Sequence, residues 1–416
     1  MKKIISLLIV LACCLATTAC DRGALEDTSF SETESTNATV GTSASKTEKP
    51  SQSKETTAQS TTSSQKEEPS VPTDERGISY EINPDGETCT VTGMGTCTKK
   101  ELVIPETLGG YRVTKIASNA FAYGGLRSVT LPVGLESIGN YAFRSSALKS
   151  VVFPESLTAI GDEAFAYCVN LGSVTLPDGV SQMGISVFAG CTSLKNTVLS
   201  SALSEIPNGT FMECARLQTV SIPNGIEKIG YSAFQNCEAL DGVVLPENLK
   251  EIADYAFMNC GSISALALPN GLTRIGVSGI SGCLSLTEIV VPDSVTEIGM
   301  YAFSYCMALQ KIVIGDGVAQ INERTFWQCH ALSDVTLGSG LQTIGNHAFD
   351  SCAALKEIVL PASVTRMESK LFYGCTNMQT IRYRGTAEEW SALSKARDWN
   401  EGAKNVAVIC AGEPAS

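Results

Sequence analysis

One phrase recurs along most of this chain, and a sequence that repeats at a fixed period folds as a stack of like units, each covering its neighbours, in place of a single closed core. The phrase is L-x-x-V-x-L-P-x-x-L-x-x-I-G-x-x-A-F-x-x-C, seen as LGSVTLPDGVSQMGISVFAGC and LKEIVLPASVTRMESKLFYGC. Its aromatic anchor falls at Phe121, Phe143, Phe165, Phe188, Phe211, Phe234, Phe257, Phe303, Phe326, Phe349 and Phe372, with Ile280 filling the one gap. The first two intervals are 22 residues and every later one is 23.

Each unit reads physically. In SVTLP, Val129 and Leu131 alternate with Ser128 and Thr130, the period of a half-exposed strand. Pro132, with no N–H to donate, ends it. A second short segment buries Leu135 and Ile138, and Gly139 is expected to supply a turn with unusual dihedrals. NYAF then places Ala142 and Phe143 in the core, as a single helical turn at most, because so short a segment needs its neighbours. Strands stacked about 4.8 Å apart make twelve turns a rod or arc of about 55 Å. Two turns depart from the pattern, with Ser200 in place of the proline and Ile280 in place of the phenylalanine, and the volume lost at Ile280 predicts a local irregularity or bend there.

Ten cysteines sit three residues beyond the anchors, from Cys168 and Cys191 through Cys352 and Cys375. One thiol per turn makes a line, whereas zinc needs about four ligands converging on a point. Gly124 and Ser146 hold the same position in the first two units, so a small buried residue is the requirement and free core thiols are the expectation. No metal and no cofactor is expected. Cys89 and Cys97, separated by a glycine-containing turn, are the pair favoured for a disulfide, the alternative being two separate core cysteines. His330 and His347 belong to no metal-spaced cluster and read as surface turn residues. With no nucleophile elbow, no phosphate-cradling loop and no paired acid and base, the chain reads as a non-enzyme.

The ends differ from the body. Residues 1–19, MKKIISLLIVLACCLATTA, have the charged, apolar and small-residue parts of a secretory signal and are too short for a membrane span. Cys20 follows directly, resembling the lipidation site of bacterial lipoprotein signals, although Thr17 stands where leucine is usual. Residues 20–76 are rich in Ser, Thr, Glu and Lys and cannot bury enough area to fold, so they read as a linker of about 40 Å behind a lipid anchor. Residues 77–107 read as an N-terminal cap built on a hairpin, 108–380 as the repeats, and 381–416 as a C-terminal cap and tail in which Trp390 and Trp399 cover the last turn. A formal net charge of −13 argues against a nucleic-acid partner.

The units LQTVSIPNGIEKIGYSAFQNC and LTEIVVPDSVTEIGMYAFSYC resemble the BspA-like leucine-rich repeat family of bacterial surface proteins, as do the flanking VTGMGTCTKKELVIPETLGGYRVTKI and IRYRGTAEEW. The resemblance covers roughly residues 78–410. It implies a leucine-rich repeat solenoid with stacked short parallel strands, exposure at the cell surface and, for some members, adhesion to host matrix proteins or other bacteria. It carries over no catalytic residue. The expected partner is an extracellular protein or glycan, bound on the outward strand face. Its preferred contact region is the charged stretch Glu288, Lys311, Asp334 and Glu357, one residue per turn. A structural envelope spacer and, more remotely, an enzyme with a site between turns are the alternatives.

Overall fold

The computed structural model describes residues 73, 74, 76–403 and 405–412, all within one compact unit, Glu67–Ser416. The signal-like stretch 1–19, Cys20 and the linker through residue 72 lie outside the described residues. The described chain is a β-solenoid whose turns stack through three hydrogen-bonded layers, the outer one interrupted over two turns.

The x-V-x segment forms the outer strand. Ser173–Thr175 pairs in parallel with Asn196–Val198, and that strand with Thr219–Ser221, always one repeat apart. Burial alternates along each of these strands, with only the middle residue inward. The segment before the glycine forms a second parallel ladder, as in Glu205–Ile206, Lys228–Ile229, Glu251–Ile252, Arg274–Ile275 and Glu297–Ile298. Cap strands Glu101–Val103 and Ala407–Cys410 extend the outer ladder beyond the twelve anchor-bearing turns.

The anchor segment is not the helical turn expected. Residues two before and two after each anchor take left-handed backbone, Tyr141 at φ 59° and Ser145 at φ 56° around Phe143. The alternation turns every second N–H along the stack, so Tyr141, Phe143 and Ser145 donate to the carbonyls of Asp162, Ala164 and Ala166, each at 2.8 Å. A third ladder of hydrogen bonds offsets the cost of left-handed non-glycine residues.

Inside, the anchor rings stack. Phe234 and Phe257 lie 5.2 Å apart with planes 3° from parallel, and the series runs unbroken from Phe121 to Phe257 and again from Phe303 to Phe372. Gly139 is not in a left-handed turn. It is needed because the turns approach closely there: a Cβ would lie 2.5 Å from the Ser118 nitrogen.

The irregularity expected at Ile280 is elsewhere. Ile280 is fully buried, and its N–H reaches the Ala302 carbonyl at 2.9 Å as an anchor phenylalanine would. The outer ladder instead lapses over residues 242–245 and 265–268. Gly242 takes φ 63°, and the Asp241 carboxylate accepts the N–H groups of Gly242 and Ser264 and the Ser264 hydroxyl, replacing backbone pairing with local bonds.

The two ends are built differently from the body. Ser79–Ile82 and Thr88–Gly93 form the antiparallel hairpin, and the latter pairs in parallel with Tyr111–Ile116. The disulfide is corrected: Cys89 and Cys97 are both buried free thiols. Cys89 lies within a strand with its sulfur 3.6 Å from the Tyr111 carbonyl, while Cys97 is held in a tight turn by its N–H to Met94, so separate local contacts position the two. At the other end Trp390 and Trp399 meet edge to face at 5.8 Å, with Trp390 against Tyr383. The short helix Ala387–Ala392, capped reciprocally by Thr386 and Glu389, was not foreseen, although T-x-x-E is a readable capping box.

Candidate functional site

Because middle residues of the outer strands face the core, the flanking ones must face solvent. They form two columns along the stack. One carries exposed valines on alternate turns, Val103, Val152, Val198, Val244 and Val290, with Thr130, Thr175, Ser221 and Ala267 between them. Val152 is 81% and Val244 77% exposed, so this apolar surface is displayed and does not serve the core.

The companion column becomes charged toward the C-terminal end. The register sets Glu288 beside Lys311 and Lys311 beside Asp334, and the Lys311 Nζ lies 3.9 Å from Asp334. Three of the four expected residues are thus brought together. Glu357 belongs to the next strand group, Glu357–Leu360, and pairs instead with Arg382 at 2.8 Å. Where the outer ladder lapses, a groove of about 920 Å³ opens against this column, lined by Ala265, Ala267, Val290 and Val313 together with Asp293, Asp316 and Arg384.

A second charged column lies on the other ladder and was not anticipated. Lys228, Glu251, Arg274 and Glu297 succeed one another with alternating sign. The Arg274 guanidinium binds Glu251, Asp254 and Glu297 at 3.0, 2.7 and 3.1 Å. The signal was present, since these residues recur at intervals of 23, but it emerges only when the second segment is aligned turn by turn.

The cysteine row is chemically quiet. Each thiol donates to the anchor carbonyl of the preceding turn, as Cys214 to Phe188 and Cys237 to Phe211. Burial pushes Cys168 up to about 11 and Cys214 and Cys306 up to about 12, so the nucleophilic thiolate is suppressed at neutral pH. His330 is exposed beside Gln328, whereas His347 is half-buried with Nδ1 2.8 Å from Asp350. Among the described residues no three His, Cys, Asp or Glu side chains converge as metal ligands would.

Comparison with known proteins agrees with this geometry. A leucine-rich repeat protein from Bacteroides ovatus superposes with a TM-score of 0.65 at 24% identity, over 80% of this chain and 98% of its own. The pneumococcal vaccine antigen PcpA superposes at 0.53 with 17% identity, over 82% and 98%. A leucine-rich cell surface protein from Faecalibacterium prausnitzii is 27% identical over 79% and 98%, with a TM-score of 0.45. No functionally curated protein matches the chain. The model of the BspA type leucine-rich repeat region matches in six copies, over residues 114–241, 204–330 and 274–392. With well over half its length matched, the chain belongs to the BspA-type leucine-rich repeat family.

Proposed function

We propose that the chain is a non-enzymatic recognition or adhesion module, exported and held at a bacterial surface through a lipid on Cys20, that binds an extracellular protein or glycan on its outer strand face. The observation that carries the reading is the display of exposed valines along that face, running into the groove lined by Glu288 and Lys311, with Asp334 beside Lys311. Core positions are spent on stacking, so sequence variation that sets specificity falls on these outward columns.

The test is binding of the unit Glu67–Ser416 to arrayed matrix proteins and glycans, with Glu288, Lys311 and Asp334 each replaced by alanine. Saturable binding of micromolar strength or tighter that weakens in these variants supports the reading. Binding indifferent to all three moves the site elsewhere, and none across the array favours a structural spacer. Separately, Cys20→Ala should release the chain from the cell envelope into the medium.

A further inference from the structure

The outer strand face carries opposite charge on its two sides. Just before the strands run Lys100, Arg127, Lys149 and Lys195, all exposed, and their turns are joined by backbone bonds such as Arg127 N–H to Lys100 and Lys149 N–H to Arg127. Just after the strands run Glu106, Glu155, Asp178 and Glu247, also exposed, with no lysine or arginine at that position in any turn from Glu106 to Ala362. Between these rails lies the alternating row from Val103 to Val290.

We propose that this face pairs with the same face of a second copy, the two solenoids lying parallel about a two-fold axis that runs along the valine row. The valines alone do not choose an orientation, since either direction sets valine on valine. Charge does. Rotation about the row places the basic rail of one copy over the acidic rail of the other, Lys100 opposite Glu106 and Lys149 opposite Glu155. Rotation about the perpendicular in-plane axis, centred on Val198, sets Glu155 against Glu247, Glu106 against Asp293 and Lys195 against its own copy, with Lys149 against Asp241 as its one attractive pair. The parallel match has one defect: Asp241 faces Glu247. Sheets packed face to face stand about 10 Å apart, within reach of lysine and glutamate side chains on opposed rails.

The size is also suitable. From Val103 to Val290 are eight turn-to-turn steps of about 4.8 Å, and six residues separate the rails at about 3.3 Å each, giving roughly 750 Å² per copy. Stable interfaces bury about 800 Å² per partner. An interface of this kind is isologous, so each residue on the axis meets itself. It covers the valine row on which the ligand reading rests and leaves Lys311 and Asp334 as the part of that surface still open in the dimer. It also brings both N-terminal edges to one end, as two chains tethered to one membrane require.

The experiment uses the chain purified after export in a Cys20→Ser background, which leaves the buried thiols as the remaining cysteines of the described residues. Val152→Cys is oxidised alone and mixed with Val244→Cys, and sedimentation velocity is run from about 1 to 100 µM, spanning the micromolar range. A 152–152 disulfide, with dimer in sedimentation that weakens in high salt, is expected. A 152–244 product in its place overturns the parallel arrangement, and a monomer without cross-link at the highest concentration overturns the pairing itself. Lys149→Glu should weaken dimerisation by about tenfold, and adding Glu155→Lys should restore it. Both side chains are exposed, so unchanged thermal unfolding of each variant excludes misfolding, and failure of the double variant to recover overturns the rail assignment.

Discussion

The thiol of Cys191 donates to the carbonyl of Phe165 one turn before it, at 3.3 Å, and that carbonyl already accepts the N–H of Cys168 at 3.2 Å. The cysteine is therefore a small apolar residue that also cross-links consecutive turns by a side-chain hydrogen bond. Ser146 shows that a hydroxyl fits, lying 3.3 Å from the Cys168 sulfur.

Cys237→Ala should destabilise the protein by about 1–2 kcal/mol, from one lost hydrogen bond and a small void. Cys237→Ser retains a donor toward Phe211 and should cost less. Denaturant titration of both variants checks the order. A larger loss for serine than for alanine would show that the apolar character of the thiol, and not its donor, holds the position.

Alkaline instability follows from the same row. The folded-state values of Cys168, Cys214 and Cys306 are raised by burial from 9.0 to about 11, 12 and 12. The contribution of each protonated thiol is fully present below pH 9 and is lost as pH rises toward the folded value, because only the unfolded chain releases the proton in that window. Each thiol should lower stability by about 1.4 kcal/mol per pH unit there. Denaturation midpoints measured from pH 7 to 11 should be flat and then fall steeply above 9, and thiol reagents at pH 8 should react with these cysteines only after unfolding.

The period of the repeat made the fold legible, along with the inward residues, the caps and the outward columns, because stacking converts sequence recurrence directly into spatial columns. What it hid was backbone conformation. Tyr141, Glu163 and Tyr255 are ordinary residues in left-handed geometry, imposed by hydrogen bonds to the next turn. The lapse of the outer ladder was equally hidden, since it depends on Asp241 capturing nearby donors. Of the contact region, Glu288, Lys311 and Asp334 were readable as one column, but the pairing of Glu357 with Arg382 depends on how the strands are grouped.

The close approach at the repeat glycine is testable at Gly299. A Cβ there would lie 2.4 Å from the Val277 nitrogen and 2.5 Å from the Gly276 carbon, both backbone atoms that cannot rotate away. Gly299→Ala should cost about 1–3 kcal/mol, as overpacking does. The alanine already standing at Ala253 shows that a turn shaped around a methyl is tolerated. If thermal unfolding of Gly299→Ala matches the parent, neighbouring turns can separate there at no cost and the glycine is not a packing requirement.

Arg274 offers a test of the second charged column. Its guanidinium faces three carboxylates on the two flanking turns, Glu251 and Asp254 on one and Glu297 on the other, and Asp254 also accepts the Val277 N–H at 2.9 Å. Arg274→Gln keeps most of the side-chain volume but leaves three acidic groups without their shared cation. At 28% exposure the site is screened in part, so a loss of about 1–2 kcal/mol is expected at low salt, above the worth of a single surface pair because three partners share one arginine. The loss should shrink toward zero near 1 M salt, where the screening length falls to about 3 Å. Stability of parent and variant measured across that range separates the possibilities: a deficit that persists at high salt would assign Arg274 to packing of its aliphatic stem, while no deficit at low salt would mean the carboxylates are held apart well enough to need no cation.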